Sequence, residues 1–273
     1  MVYIICIIIG VLTAFVGSLV GLGGGVILIP SLLLLNQSVE AFSWATPQAI
    51  VSISLFAMIF TSLSSTLTYY KRGRVDYRTG LWFLIGSIPG GVIGSWLNQF
   101  VETEVFLLYF GVLMILITAL FSLKRRQPSS NLPMKNNKVV RTFYLDGVTH
   151  NYAISMWQAI VLSLIVGTLS GLFGIGGGSI MVPAMILLFG IPAHIATATS
   201  MFIIFFTSII GASTHIMLGH IAWEYLFFFI PGAWIGGRLG AKTNQILRAE
   251  TLERILRVLL IIIGLRMIAD GLF

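Results

Sequence analysis

Gly21-Leu22-Gly23-Gly24-Gly25, with Pro30 five residues further on, interrupts an apolar run that extends from Tyr3 to Leu35. The pattern returns as Gly174-Ile175-Gly176-Gly177-Gly178, with Pro183 at the same distance. Each glycine costs a helix roughly 1 kcal/mol relative to alanine. A continuous helix over residues 3–35 would be about 50 Å long. That overshoots a hydrocarbon core of about 30 Å. The spacing therefore predicts a break at each glycine cluster, with irregular backbone at membrane depth. Residues 25–35 are too short to span fully, so the broken segment is a hairpin or a re-entrant loop.

The surrounding composition agrees. Of 273 residues, 57% are hydrophobic and only 9% charged, against about 25% charged in soluble domains. Mean hydropathy is +0.99. Several apolar runs reach the ~20 residues that a spanning helix needs. These numbers predict an all-α polytopic integral membrane protein; a β-barrel would show alternating segments of about ten residues instead. The single cysteine, Cys6, excludes a disulfide framework or a multi-cysteine metal or redox centre. The net charge of +7 does not point to nucleic acid, because the cations fall in loops and report topology. No Lys or Arg precedes Lys71, so the first run lacks the basic start of a signal peptide and reads as mature protein.

Outward from the first cluster, residues 36–46 form a polar loop and Pro47 opens a helix to about Tyr70. A basic loop covers residues 71–78, spans follow at 80–97 and 105–123, and Glu102 and Glu104 mark the turn between them. Glycines 86, 90 and 94 have the small-xxx-small spacing of close helix packing. A polar linker, 124–153, begins Lys124-Arg125-Arg126. Its part from Gln127 to Asn137 has the composition of a flexible segment. Val139 to Ile154 alternates around Asp146-Gly147, which predicts a small β-hairpin with a type I′ turn. The domains are thus a first membrane repeat at 1–123, a basic cytoplasmic linker at 124–153, and a second repeat at 154–273.

At an offset of 153 the first glycine cluster and Pro30 fall on the second cluster and Pro183, and Ala45-Thr46 falls on Ala198-Thr199. Later the offset is 146, which carries Gly73, Gly86, Gly90, Gly91 and Gly94 onto Gly219, Gly232, Gly236, Gly237 and Gly240. This is an internal duplication. Its equivalent loops differ in charge: residues 71–78 are basic, while Gly219 to Glu224 has no Lys or Arg. If the halves are inverted repeats of about five membrane segments each, fifteen of the sixteen Lys and Arg lie inside, leaving Arg266. Glu40, Glu102, Glu104, Glu224 and Asp270 then lie outside, with both termini. Parallel repeats would strand Arg238, Lys242, Arg248, Arg254 and Arg257 outside. The positive-inside rule favours inversion. The expected location is the cell (inner or plasma) membrane, crossed many times.

Glycine-interrupted segments at matching positions of two halves mark a transporter's central site. A half-helix beginning at Val26 or Ser179 presents free N–H groups and the positive end of its dipole. Glycine lets an anion approach that backbone. The candidate binding residues are Gly23, Gly24, Gly25, Thr46, Gln48, Gly176, Gly177, Gly178, Ser179, Thr199 and Ser200. Ser18, Ser52, Ser170 and Thr197 are further hydroxyls nearby. No Asp or Glu falls inside a span, which disfavours a carboxylate-built cation site. His215 is the titratable candidate for proton coupling, with His194 nearer a loop. Plainer roles compete. The glycines also suit close helix packing, Thr46 and Thr199 suit helix caps, and His215 suits a structural hydrogen bond. Arg238 suits snorkelling, and Trp44, Tyr69, Tyr70, Trp223 and Tyr225 suit interfacial belts. The sequence has no Walker A loop, no convincing dinucleotide fingerprint and no H-E-x-x-H. It points to no enzyme, metal or cofactor.

Ser170-Gly171-Leu172-Phe173-Gly174-Ile175-Gly176-Gly177-Gly178 with Pro183, followed by Ala198-Thr199-Ser200, resembles the sulfite exporter TauE/SafE family of bacterial and archaeal permeases. The first half matches less well. It has Gly17-Ser18 in place of Ser170-Gly171, and Thr46-Pro47 in place of Thr199-Ser200. The resemblance implies secondary transport of a small sulfur-containing anion such as sulfite, sulfoacetate or another organosulfonate. Two other classes share the architecture: an anion channel, and a non-transporting membrane assembly protein or sensory partner. The second is disfavoured because no sizeable soluble domain exists beyond the linker. The partners expected are that anion and the lipid bilayer, with a homodimer among the assemblies left open. The identity of the anion, the direction and the coupling ion are left open too.

Overall fold

The computed structural model describes residues 2–122, 139–145, 148–247 and 249–272. Among them are ten α-helices and one two-stranded sheet. In chain order these are α1 (Val2–Val20), α2 (Gly25–Ser38), α3 (Pro47–Tyr70), α4 (Tyr77–Leu97) and α5 (Thr103–Ser122), then β1 (Val139–Leu145) and β2 (Val148–Ile154). The second half holds α6 (Met156–Phe173), α7 (Gly178–Phe189), α8 (Ala193–Met217), α9 (Trp223–Asn244) and α10 (Ala249–Leu272). Helices α1, α3, α4, α6 and α8 are long and apolar enough to cross a membrane.

The breaks fall where the glycines predict. Gly21, Gly23 and Gly24 have φ of 86°, 85° and 105°, and Gly174, Gly176 and Gly177 have φ of 66°, 74° and 67°. Side chains with a Cβ rarely adopt this region. The Gly17 carbonyl accepts bonds from the N–H groups of Gly21 and Leu22, at 2.9 and 2.7 Å, and so closes α1. Helix α2 has 14 residues and α7 has 12, so they extend about 21 and 18 Å. Neither covers the hydrocarbon core.

Glycine also sets the packing. Gly86, Gly90 and Gly94 of α4 lie against the carbonyls of Ile160, Leu164 and Thr168 of α6. Gly232, Gly236 and Gly240 of α9 lie in the same way against Ile7, Val11 and Phe15 of α1. A methyl group at any of these positions would strike the facing backbone, so the helices pack at the closest separation. Residue numbers rise together in both pairs, so α4 runs with α6 and α9 runs with α1. Helix α3 also runs with α9: Phe56 is beside Trp223, and Ser64 Oγ donates to the Trp234 carbonyl at 2.8 Å. Helix α8 runs against α3, since Ser52 reaches the His220 carbonyl while Asp76, just past α3, meets Thr199. Gly80 against Phe202 and Gly91 beside Thr207 place α8 alongside α4 in the same sense. Helices α1, α3 and α9 therefore point one way, and α4, α6 and α8 the other. Helices α5 and α10 pair at the periphery, with Gly111 against Gly264.

Two expectations change in detail. Tyr69 is not an interfacial residue: it is fully buried, with its hydroxyl donating to the Ser18 carbonyl at 2.9 Å. Trp44 and Tyr225, both expected in such a belt, stack on each other with ring centroids 4.1 Å apart. The hairpin is present, its strands antiparallel from Val139↔Ile154 to Leu145↔Val148. Its Asp146-Gly147 turn, and the linker residues 124–138, lie outside the described residues. The hairpin is not a free linker, because Tyr152 and Ile154 are buried against the helices.

Candidate functional site

The two glycine turns touch, and they do so reciprocally. Gly25 lies on the Gly174 carbonyl, and Gly178 lies on the Gly21 carbonyl, with no room for a Cβ at either. Each carbonyl also accepts a serine hydroxyl. Ser54 Oγ donates to Gly174 O at 2.7 Å, and Ser200 Oγ donates to Gly21 O at 2.8 Å. Met58 Sδ covers Gly23 and Gly176, and Ile204 covers Gly23 and Gly178. The N-terminal ends of α2 and α7 thus meet across one contact. Gly24 O and Gly177 O accept the first intrahelical bonds, from Ile27 and Leu28 and from Ile180 and Met181, so the N–H groups of Gly25, Val26, Gly178 and Ser179 precede the helical ladders, at the positive ends of both dipoles.

These contacts fix the alignment of the halves. Ser54 and Ser200, and Met58 and Ile204, are related by an offset of 146. The offset thus changes before α3 and α8, in the connections 39–46 and 190–192, where the first half is longer. The counterpart of Thr46 is then Pro192; each occupies the N-cap position of its helix, Thr46 with a side-chain cap bond and Pro192 without one. This corrects the pairing of Ala45-Thr46 with Ala198-Thr199. The counterpart of Ser200 is Ser54, which the sequence reading missed. The signal was available: the 146 offset, followed back from Gly73, carries Ser54 onto Ser200.

The structure brings together Gly23, Gly24, Gly25, Gly176, Gly177, Gly178, Ser179 and Ser200. Thr46 stands apart: its hydroxyl accepts from Ala49 N at 3.3 Å as an ordinary N-cap. Gln48 also stands apart, donating to the Val101 carbonyl at 3.0 Å. Both precede by more than a turn the α3 residues Ser54 and Met58, which reach the glycine turns. Thr199 faces away from the turns, accepting the Asp76 N–H at 3.1 Å. Ser179 Oγ is buried, with no hydrogen-bond partner among the described residues. Beside Gly176, Gly177 and Gly178 is a cavity of about 10 Å³, lined also by Ser87, Ser170, Ser200 and Thr207. That is about the room one water needs, so the turns are closed on each other. Ser87 and Thr207 were not legible as site residues, because each reads as a hydroxyl bonded to its own helix.

Asp76 is the other group that sequence reasoning passed over. It sits in the basic loop yet is buried. Its carboxylate caps α4, accepting the Thr79 N–H at 3.2 Å and the Thr79 hydroxyl. It also accepts the Tyr152 hydroxyl at 2.5 Å and Arg141 Nη2 at 3.2 Å. Burial opposes ionisation of Asp76. The Thr79 and Tyr152 bonds and the Arg141 charge outweigh it and hold the carboxyl below its ordinary value. Burial, and then the bond to Asp76, push the Tyr152 phenol up. The hairpin is thereby fastened to α4, one residue along α8 from Ser200. The signal was the spacing Asp76-x-x-Thr79 ahead of an apolar helix, an N-cap pattern.

His215 lies at the far end of α8 from Thr199. Its Nδ1 is 3.1 Å from Nδ1 of His220, so at most one of these two nitrogens carries a proton. Burial lowers His220 below its ordinary value. Among the described residues no three His, Cys, Asp or Glu gather as metal ligands.

The family model described as sulfite exporter TauE/SafE matches residues 6–267. The chain belongs to the sulfite exporter TauE/SafE family. A relative from Bacillus subtilis, the probable membrane transporter protein YunE, is 44% identical over 272 residues, covering 99% of each chain. A probable membrane transporter protein, ORF9 of a Sinorhizobium species, is 24% identical and covers 95% of this chain and 89% of its own. MJ0441 of Methanocaldococcus jannaschii, likewise named a probable membrane transporter protein, is 26% identical over 96% of this chain and 94% of its own. No solved structure matches. The family and these relatives make the chain a multi-pass membrane transporter, and in this TauE/SafE member both glycine turns fall inside the matched region.

Proposed function

We propose that this protein is a secondary transporter for a small anion, sulfite or an organosulfonate, bound between the two glycine turns near the membrane midplane. The observation that carries this reading is the meeting of two half-helix N-termini, α2 and α7, at glycines whose carbonyls are held by Ser54 and Ser200. Positive dipole ends, backbone N–H groups ahead of the helical ladders and hydroxyls suit an oxyanion, and among the described residues no carboxylate stands at the contact to repel one. The halves are read as inverted repeats. Support comes from helix direction, since α1, α3 and α9 oppose their counterparts α6, α8 and α4, and from loop charge. The Asp76 end, with its basic loop, then faces the cytoplasm.

Reconstituted protein is expected to catalyse saturable flux of radiolabelled sulfite that exchanges with unlabelled anion, and Gly177→Leu is expected to abolish it. Unitary currents far faster than a carrier turns over would make the protein a channel. Cation current without anion flux would overturn both.

A further inference from the structure

A second cavity, of about 330 Å³, lies between the C-terminal ends of α3 and α9, where Lys71, Arg72, Arg238 and Lys242 line it together with Leu67 and Trp234. Its size falls within the range of small-molecule sites. No Asp or Glu is among the residues that line it. Two helix C-termini together carry about −1 of dipole charge, against four cationic side chains, so the cavity remains positive. We propose that it is a headgroup site for an anionic phospholipid.

Three observations favour a lipid over the transported anion. First, polarity changes along the cavity in the direction expected of a bilayer. Trp234, Arg238 and Lys242 follow at one-turn intervals of about 6 Å, and Leu67 precedes Lys71 by the same step. Leu67 and Trp234 are exposed on the helix surface, where an acyl chain would lie, and the cations stand where a phosphate would. Second, the cavity is walled off from the glycine turns. Ser18 Oγ is 2.6 Å from Ser65 Oγ and 2.7 Å from the Gly237 carbonyl, and Ser64 bonds to Trp234, so α1, α3 and α9 are stitched together behind it. Third, the duplication does not demand it. At the offset of 146 the four cations correspond to Met217, Leu218, Val92 and Trp96, so only one end of the protein carries the cluster.

The test uses the full chain in neutral detergent, with phosphatidylglycerol, phosphatidylcholine or sodium sulfate added at matched concentrations. Phosphatidylglycerol at a hundred times its Kd is expected to raise Tm by about 5 °C, with phosphatidylcholine and sulfate without effect. The shift should vanish in R238Q/K242Q and persist in R254Q, which removes an exposed charge on α10. Native mass spectrometry of the unaltered chain gives a readout independent of variant folding: phosphatidylglycerol is expected to stay bound at energies that strip phosphatidylcholine. A sulfate shift without a phosphatidylglycerol shift overturns the lipid assignment. Equal shifts in wild type and R238Q/K242Q overturn the site, as does equal retention of both lipids.

Discussion

Asp76 and Ala222 hold the same backbone conformation, φ −84° and ψ 82°, at the starts of α4 and α9. They are counterparts at the offset of 146, at opposite ends of the molecule. Around Asp76 the carboxylate gathers Thr79, Tyr152 and Arg141 and ties down the β-hairpin. Around Ala222 there is no side-chain cap, and the nearby polar pair is His215 with His220. The duplication has thus kept the backbone and changed the chemistry. The glycine turns between these ends are the reverse case. Their contact is reciprocal in Gly25 and Gly178 and in Ser54 and Ser200. Even there a difference survives, since Ser170 and Ser87 beside the second turn replace Gly17 and Ala233 of the first. The protein is symmetric where two backbones must touch and asymmetric at the two helix starts and beside the second turn.

The most severe test of the symmetric part is to fill it. Gly25→Val and Gly178→Val should each cost about 3 kcal/mol or more, because the new side chain meets a carbonyl of the other turn and not a flexible side chain. Thermal stability in detergent should fall by similar amounts for both. Tolerance of one and not the other would break the equivalence of the turns.

Asp76→Ala probes the asymmetric end. Loss of a charge-assisted network should cost about 2 kcal/mol and expose the hairpin to proteolysis, while Ala222→Asp should leave stability nearly unchanged. The same group predicts a pH response. The folded-state carboxyl is held below its ordinary value, so its contribution is fully present above the unfolded pKa of about 4. It disappears as pH falls through the depressed folded value. The amide protection factors of Arg141 to Tyr144, corrected for the intrinsic exchange rate, should therefore be flat from pH 5 to 8 and fall only in acid. A fall in protection between pH 6 and 7 would remove Asp76 from control of the hairpin.

Smaller effects come from the serines. Ser54→Ala and Ser200→Ala should each cost about 1 kcal/mol by leaving a turn carbonyl short of a donor. Equal stability losses with a larger fall in sulfite flux for Ser200→Ala would sharpen the distinction, since Ser200 also lines the hydroxyl-rich cavity. Equal flux would remove it. The weakest expected effect is Tyr152→Phe, about 1 kcal/mol or less, seen as a faster-exchanging hairpin and not as lost fold.

Much of this was legible in the chain. The glycine breaks follow from propensity, since six glycines stand at positive φ where other residues are strained. The helices follow from the lengths of their apolar runs, and the hairpin from alternation around Asp146-Gly147. The family followed from the second cluster and its serines. Thr46 was misplaced because one offset was extended across a loop of unequal length, and a loop insertion leaves no mark in helical periodicity. Tyr69 was misassigned because an aromatic near a helix end looks the same whether it faces headgroups or the interior.

The sequence alone determined where the backbone must break and which residue types stand at the break, because backbone conformation and hydropathy are local properties. Tertiary structure decided which groups meet there. It brought Gly25 onto Gly174 and Gly178 onto Gly21, moved Ser54 into the place expected of Thr46, and buried Asp76 beneath Tyr152. The physical reason is that hydrogen bonds and steric contacts at these points join residues more than seventy positions apart. Only the packed helices determine which distant carbonyl lacks a donor and which glycine faces another backbone.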